Sequence, residues 1–176
     1  MPTSTLRPGD VQIETTPSRS DAILTFIGRV RSGHATRETA PKNPTKARER
    51  GAPASLEIDA PYRPGLEGLA AFSHVLVLGW LHQARRDLIQ ITRPTGAAPG
   101  APDATGQPKA GPKGVFALRS PVRPNPISLS VARILSVDIA AGRIEIDAID
   151  LVDGTPLVDL KPYRPGIDAV PDAVVP

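Results

Sequence analysis

Apolar residues occur in short runs along this chain, and each run is bounded by glycine, proline or polar residues. Aliphatic and β-branched runs of this length are typical of strands. The pattern predicts six strands, at residues 23–31, 56–60, 73–81, 114–119, 129–138 and 143–150. The run SHVLVLGWL at 73–81 is almost continuously apolar, so we predict a central strand that is buried on both faces. A short helix is predicted at 65–71.

The connections between these runs differ in length and composition. Ala140-Ala141-Gly142 has the length of a hairpin turn. Residues 32–55 are polar and basic, whereas 14 of the 20 residues in 94–113 are proline, glycine or alanine. Such a composition buries too little apolar surface to offset the entropy of ordering, so 94–113 is predicted to be disordered. Long loops inside a compact domain are usually either disordered or functional. We predict that residues 32–50 form a functional loop.

Composition narrows the fold class. The chain has 176 residues, of which 21 are proline and 15 are glycine. Because proline removes a backbone donor and ends helices, a helical bundle or a stack of βαβ units is disfavoured. We predict a mainly β, all-β fold in a single domain over residues 1–176, with residues 1–20 as a tail.

Several classes of site are excluded by residues that the sequence lacks. There is no cysteine, which excludes disulfides, thiolate catalysis and iron–sulfur clusters. There is no Gly-X-Gly, so the Rossmann phosphate turn and the Walker loop are excluded too. His74 and His82 have no acidic residue between them, and we predict no metal site. Neither a secretory signal nor a run of about 18 apolar residues is present, which predicts a cytoplasmic protein that does not enter the membrane.

Charge is distributed unevenly along the chain. Residues 1–134 hold 18 basic and 10 acidic residues, whereas residues 135–176 hold 3 and 8. Seven basic residues but only two acidic ones lie between positions 29 and 50. A run of this kind can bind a polyanion, and Arg48 and Arg50 are its candidate phosphate contacts. A solvated surface loop explains the same run, and both interpretations stay open.

Two polar segments next to predicted strands have side chains suited to ligand binding. In the segment RSPVRPNPISLS, prolines stiffen a loop that presents Arg119, Arg123 and Asn125, which suit a carboxylate, a phosphate or a purine edge. In DLVDGTPLVDLKPY, Asp150 and Asp153 could bind ribose hydroxyls or an amino group. The alternatives are a rigid turn with solvated arginines and carboxylates that only bind turn amides.

Four motifs in this order resemble one family. They are IGRVRS, FSHVLVLGWLH, RSPVRPNPISLS and DLVDGTPLVDLKPY, and the resemblance extends from Ile27 to Tyr163. It is to the TrmO/TsaA-like (YaeB) family of S-adenosylmethionine-dependent tRNA N6-adenine methyltransferases. The resemblance implies a single-sheet β-barrel, a homodimer with cofactor sites near the subunit interface, and threonylcarbamoyl-adenosine 37 of tRNA as the substrate.

The resemblance also assigns roles to individual residues. It implies that the cofactor is bound by Pro41, Lys42, Asn43, His82, Gln83, Arg119, Leu129, Asp150 and Asp153. If a proton is removed, Asp153 or His82 is the candidate base. The candidate tRNA contacts are Arg48, Arg50, Arg123, Asn125, Lys161 and Tyr163.

The sequence departs from the family pattern at two points. Ser128 stands where the family motif has glycine, and longer members carry a further C-terminal region. Two alternatives to the tRNA methyltransferase therefore stay open. One is a module that binds S-adenosylmethionine without transferring its methyl group, and the other is a methyltransferase for a small molecule.

Overall fold

A computed structural model describes residues 6–12, 23–92 and 111–174. The chain divides into two compact units, which we describe separately. The barrel unit comprises residues 24–80 and 128–176, and the proline-loop unit comprises residues 1–23 and 81–127. Most of the predicted tail at 1–20 and of the predicted disordered loop at 94–113 lies outside the described residues. The single domain over residues 1–176 stays a prediction.

The described chain contains mainly short strands. In chain order they are β1 (Val11–Gln12), β2 (Gly28–Ser32), β3 (Ala54–Ile58), β4 (His74–Trp80), β5 (Leu88–Ile91), β6 (Lys113–Gly114), β7 (Ile127–Asp138), β8 (Arg143–Ile146) and β9 (Pro156–Pro162). The α-helices are α1 (Pro44–Arg50) and α2 (Pro165–Asp168). Short 3-10 helices cover Ala60–Leu66, Leu69–Ala71 and Val115–Ala117. Within the described residues, no helix combines the length and the apolar character needed to span a bilayer.

Six strands close into a barrel in the order β2-β3-β8-β7-β4-β9. The pairs β2–β3, β2–β9, β3–β8, β4–β9 and β7–β8 are antiparallel. Closure pairs each strand on both sides and leaves no exposed edge. The all-β fold and the barrel implied by the family resemblance are therefore confirmed.

The core of the barrel unit is aliphatic. Its fully buried side chains include Val30, Leu56, Val77, Ile144 and Leu157. On β4, buried and half-buried positions alternate, so the prediction of a strand buried on both faces was wrong. An antiparallel barrel has one inner and one outer face, and the outer positions of β4 are only half covered.

The strand predictions succeeded where the apolar pattern was long. β4 and β7 lie within two residues of their predicted bounds, and Gly142, with φ of 70°, completes the predicted hairpin. Residues 147–150 were predicted as strand, but β8 ends at Ile146. The prediction of a strand at 114–119 was wrong, because β6 ends at Gly114 and a 3-10 helix follows.

The strands predicted at 23–31 and 56–60 have other bounds in the structure, because β2 begins only at Gly28 and β3 ends at Ile58. Further errors concern short elements. The prediction of one helix at 65–71 was wrong, because two 3-10 helices occupy this region. Gly68, with φ of 79°, separates them. The short helix α1 lies inside the predicted loop 32–55. The strands β1, β5 and β9 were not predicted, because polar residues and proline interrupt their apolar pattern.

The proline-loop unit contains a three-stranded antiparallel sheet in the order β1-β5-β6. Its buried apolar side chains include Leu88 and Val115. After the 3-10 helix at Val115–Ala117, the chain enters the proline-rich loop at 119–126. This unit therefore carries residues 119–127 of RSPVRPNPISLS, the third of the four motifs that carry the family resemblance.

Candidate functional site

The register of the barrel places Ser32, Ala54 and Ile146 side by side at one end of their strands. We call this the carboxylate end, because the segment after β8 carries Asp150 and Asp153 there. The connection between β2 and β3, which contains α1, leaves and re-enters the barrel at the same end. The opposite end is marked by Gly28 pairing with Ile58.

Asp150 accepts a hydrogen bond from a neutral group. The Ser130 hydroxyl on β7 donates to its Oδ1 atom at 2.9 Å. Ser130 is buried and Asp150 is half-buried, whereas Leu129, next to Ser130, is 48% exposed. Because successive side chains of a strand point to opposite faces, Ser130 faces inward and the neighbouring Leu129 faces outward. The Asp150 carboxylate suits a ligand with a hydrogen-bond donor.

Asp153 is bound more tightly by the protein itself. Its Oδ1 accepts the backbone N–H of Ser32 at 3.0 Å, and its Oδ2 lies 3.5 Å from Nη1 of Arg31. The backbone N–H of Asp153 donates to the carbonyl of His34 at 2.8 Å, and Gly154 N–H donates to Val30 at 2.9 Å. These bonds fasten the Asp153-Gly154 turn to β2.

Arg31 connects this turn to a second carboxylate. Its Nε lies 2.9 Å from Oε2 of Glu57, which also accepts Nε of Arg29 at 3.0 Å. The hydrogen bond from Arg29, followed by that from Arg31, holds the pKa of Glu57 below its usual range, although burial opposes the shift. Glu57 therefore stays ionised and keeps Arg31 beside Asp153.

The segment Pro41-Lys42-Asn43 leads directly into α1. The side chain of Asn43 accepts the backbone N–H of Lys46 at 2.8 Å and caps the helix, and Pro44 occupies its first turn. Pro41 is buried, while Lys42 and Asn43 are exposed. The cap uses the oxygen of the Asn43 amide, and its NH₂ group stays available as a donor.

Two candidate tRNA contacts on α1 bind other parts of the protein. Arg48 Nε lies 2.7 Å from Oδ2 of Asp147, and its Nη2 donates to the carbonyl of Val131 at 2.7 Å. Arg50 Nη1 donates to the carbonyl of Thr39 at 2.8 Å. Both guanidinium groups thus hold the connection between β2 and β3 in place.

Lys161 and Tyr163 lie away from the carboxylate end. β9 pairs Leu157 with Gly28 and then continues past it, so both residues lie toward the opposite end of the barrel. Lys161 Nζ is 3.1 Å from Asp159, and the ring of Tyr163 packs edge-on against His74. The structure therefore does not bring these two residues together with Asp150 and Asp153.

The remaining predicted residues belong to the proline-loop unit. His82 and Gln83 are exposed on a turn that begins at Leu81, whose N–H donates to the carbonyl of Pro126 at 2.8 Å. Arg86 Nε donates to the carbonyl of Pro124 at 2.8 Å. These two bonds fasten the turn to the proline-rich loop and thereby bring together the predicted residues of the two segments, which are His82, Gln83, Arg119, Arg123 and Asn125.

Sequence reasoning missed the residues whose side chains or, for Ser32, whose backbone N–H orient the two carboxylates. These are Ser130, Ser32 and Arg31. A polar residue facing inward within an apolar strand is the signal that could have identified Ser130, which is only 5% exposed. The partners of Ser32 and Arg31 lie about 120 residues further along the chain, so no local pattern indicates them.

A cavity of about 380 Å³ lies at the other end of the barrel unit. It is lined by Arg29, Glu57, Ile58, Asp59, Ala60, Arg63, Ala141 and Arg143. None of these eight is a predicted site residue, and the acidic side chains offset much of the charge of the arginines. Among the described residues, no group of three His, Asp or Glu side chains is placed to hold a metal ion.

Comparison with known proteins identifies the family. Residues 29–169 match the family described as the tRNA-methyltransferase O N-terminal domain. The chain belongs to this family. The match includes every site residue predicted above, from Pro41 to Tyr163.

Relatives in the family have two kinds of name. A probable S-adenosyl-L-methionine-binding protein, VirR of Rhizobium radiobacter, is 34% identical over 93% of this chain and 83% of its own length. The tRNA (adenine(37)-N6)-methyltransferase of Escherichia coli K12 is 36% identical over 84% of this chain and 60% of its own length. A crystal structure of TrmO from Pseudomonas aeruginosa superposes with a TM-score of 0.65 at 34% identity, covering 88% of this chain and 61% of that chain. The present chain thus spans about three fifths of the length of the methyltransferases it matches.

Proposed function

We propose that this protein is an S-adenosylmethionine-dependent methyltransferase that acts on N6 of adenine 37 in tRNA. Membership of the tRNA-methyltransferase O family is the observation that carries the proposal, because its match extends over 29–169 and includes both carboxylates and the segment before α1. The proposed acceptor is the threonylcarbamoyl form of the adenosine. A tRNA acceptor implies a cytoplasmic location, which we propose on that ground alone.

The carboxylate end supports a binding site for the methyl donor. Asp150 has lone pairs left after it accepts the Ser130 hydroxyl, and these suit the amino group or a ribose hydroxyl of S-adenosylmethionine. The exposed apolar side chain of Leu129 provides a surface for the adenine ring. The NH₂ group of Asn43 and the proposed contacts of Pro41 and Lys42 are the other contacts to the donor that we propose in the barrel unit.

The proline-loop unit carries further residues to which the family resemblance assigns a role. His82, Gln83 and Arg119 are assigned to the cofactor, and Arg123 and Asn125 to the tRNA. The loop that carries the last three is stiffened by its prolines, so it loses little entropy when a ligand binds. Lys161 and Tyr163 are proposed to contact tRNA further along the barrel surface.

The sulfonium of S-adenosylmethionine supplies an electrophilic methyl group, so the protein mainly has to align donor and acceptor. If the adenine N6 loses a proton to the protein, we propose His82 rather than Asp153 as the acceptor. Both oxygens of Asp153 already face donors from Ser32 and Arg31, and its protonation would weaken these bonds. The proposed role of Asp153 is to hold the turn that follows Asp150.

The alternative is a module that binds S-adenosylmethionine without transferring its methyl group. Relatives named as binding proteins favour it, because this chain covers 83% and 94% of the length of two of them. A methyltransferase that acts on a small molecule is the other alternative.

Incubation of the protein with radiolabelled S-adenosylmethionine and tRNA distinguishes between these functions. We expect label in total tRNA that carries threonylcarbamoyl-adenosine and none in tRNA prepared without that modification. Asp150→Asn should lose label and bind the donor at least about tenfold more weakly in calorimetry, since hydrogen bonds to charged groups contribute about 1.5–3 kcal/mol. Asp172→Asn removes the same charge from an exposed position and is the control. Donor binding without label in either tRNA would contradict the proposed acceptor.

A further inference from the structure

The side chain of Arg48 joins helix α1 to β7 and to the segment after β8. Arg48 makes two bonds of 2.7 Å, from Nε to the Asp147 carboxylate and from Nη2 to the carbonyl of Val131. The other anchor of the helix is Ala47, which is 1% exposed. An isolated helix of seven residues is not stable in water, so these contacts determine where it lies.

Both partners of Arg48 are neighbours of proposed donor contacts. Val131 lies on β7 two residues after Leu129 and next to Ser130, and Asp147 precedes Asp150 by three residues. At its other end, α1 begins directly after Asn43. The Arg48 guanidinium therefore joins the segment 41–43 to the strand ends that carry Leu129 and Asp150.

Asp147 is itself fixed. Its Oδ1 accepts the backbone N–H of Arg133 at 2.8 Å, and its own N–H donates to the Arg133 carbonyl at 3.0 Å. Burial would raise the pKa of Asp147, but the hydrogen bonds from Arg48 and from the backbone outweigh it and lower the pKa. An ionised, rigidly held carboxylate is a suitable partner for a guanidinium that sets a position.

Lys46 on the same helix differs from Arg48. Its ammonium pairs with Glu49, one turn further along α1, at 2.7 Å, and more than half of each side chain is exposed. This pair contributes little to stability and fixes no other element. Lys46 is therefore a matched cation on the same helix that does not join α1 to the barrel.

We propose that Arg48 is a positioning residue for the S-adenosylmethionine site, holding Pro41-Lys42-Asn43 against Leu129 and Asp150, rather than a contact to tRNA phosphate. This inference rests on the proposed function, because it assigns the donor to the carboxylate end. The inference predicts that Arg48 and Asp147 act as a pair, because loss of either one releases the same segment.

The test measures donor affinity by calorimetry and the dependence of tRNA affinity on salt, using the full chain at a temperature where each variant is folded. We expect Arg48→Ala and Asp147→Asn each to bind S-adenosylmethionine at least about tenfold more weakly, from the loss of a charge-assisted pair. Arg48→Lys should restore part of the affinity, because an ammonium can replace one of the two bonds. Lys46→Ala should bind the donor as the wild type does.

The salt dependence of tRNA affinity distinguishes a positioning role of Arg48 from a contact to tRNA phosphate. We expect Asp147→Asn to have the wild-type slope of log affinity against log salt, and Arg48→Ala to have nearly the same slope. A slope smaller in magnitude by about 1 in Arg48→Ala, with donor affinity unchanged, would make Arg48 a phosphate contact and overturn the proposal. A lower melting temperature with unchanged donor affinity in both variants would overturn it too, since the role would then be purely structural.

Measurements of donor binding and tRNA labelling on the wild-type protein distinguish failure of this inference from failure of the proposed function. If it binds S-adenosylmethionine but labels no tRNA, the proposed transfer fails, and the loss of affinity in Arg48→Ala and Asp147→Asn still supports the positioning role. If it does not bind S-adenosylmethionine, both proposals are overturned before any variant is compared.

Discussion

At the scale of single residues, Ser128 and Gly79 are linked by hydrogen bonds and by close packing. The Ser128 hydroxyl accepts the Gly79 N–H at 3.0 Å and lies 3.2 Å from the Gly79 carbonyl, to which it donates. A Cβ on Gly79 would lie 2.8 Å from Oγ of Ser128 and 3.1 Å from Leu151. The Ser128 side chain therefore occupies space that the absence of a side chain at Gly79 leaves open.

Gly79→Ala should lower the free energy of unfolding by about 1–3 kcal/mol, as overpacking of a filled core does. The loss should be smaller in a Ser128→Gly background, because the nearest obstructing atom is gone. Urea unfolding of the four proteins in this double-mutant cycle measures the coupling. Equal losses in the two backgrounds would contradict the dependence of Gly79 on Ser128.

At the scale of elements, a carboxylate joins β1 to the segment before β5. Asp87 accepts both Nε and Nη2 of Arg85, at 2.9 and 2.5 Å, and its Oδ2 also accepts the side-chain amide of Gln12 at 2.6 Å. The hydrogen bond from Arg85 is the largest cause that lowers the pKa of Asp87 well below its usual range, while burial opposes it and Gln12 adds to the lowering. Ionised Asp87 therefore stabilises the sheet β1-β5-β6.

This lowered pKa predicts how stability depends on pH. A carboxylate whose pKa is lower in the folded state stabilises the fold above its unfolded pKa of about 4, and the contribution is lost as the pH falls below that value. We expect the free energy of unfolding of the wild type to decrease between about pH 4 and pH 2, with a smaller decrease in Asp87→Asn. Parallel pH profiles for the two proteins would exclude this contribution.

At the scale of the whole molecule, large apolar side chains are exposed on the barrel unit. They include Leu129, Leu135, Ile167 and Val170, with exposures between 48% and 75%. Exposed apolar surface of this kind often marks an interface between proteins. A homodimer is implied by the family resemblance, and we propose that a second copy of the chain covers part of this surface.

Light scattering of the purified protein should give twice the chain mass of 18.6 kDa at micromolar concentration. A specific dimer of this kind buries more than about 1,000 Å² in total, so the mass should stay constant on tenfold dilution from that concentration. A monomer mass throughout the dilution series would rule out the dimer.

The sequence by itself determined the class of fold and the family. Proline and glycine content disfavoured helical architectures, and long apolar runs located β4 and β7 within two residues because strand periodicity is a local property. The ordered motifs identified the family that the comparison then confirmed over 29–169. The residues proposed for the site also came from these motifs, and their roles stay predictions.

Only the tertiary structure decided which of those residues lie together and what holds them. Ser130 reaches Asp150 across 20 positions of sequence, and Arg48 reaches Asp147 across 99. Barrel closure places α1 at the carboxylate end and carries Lys161 toward the other end. Contacts of this kind depend on strand register and closure, which are set by the packing of the whole barrel, so no local pattern of residues could have specified them.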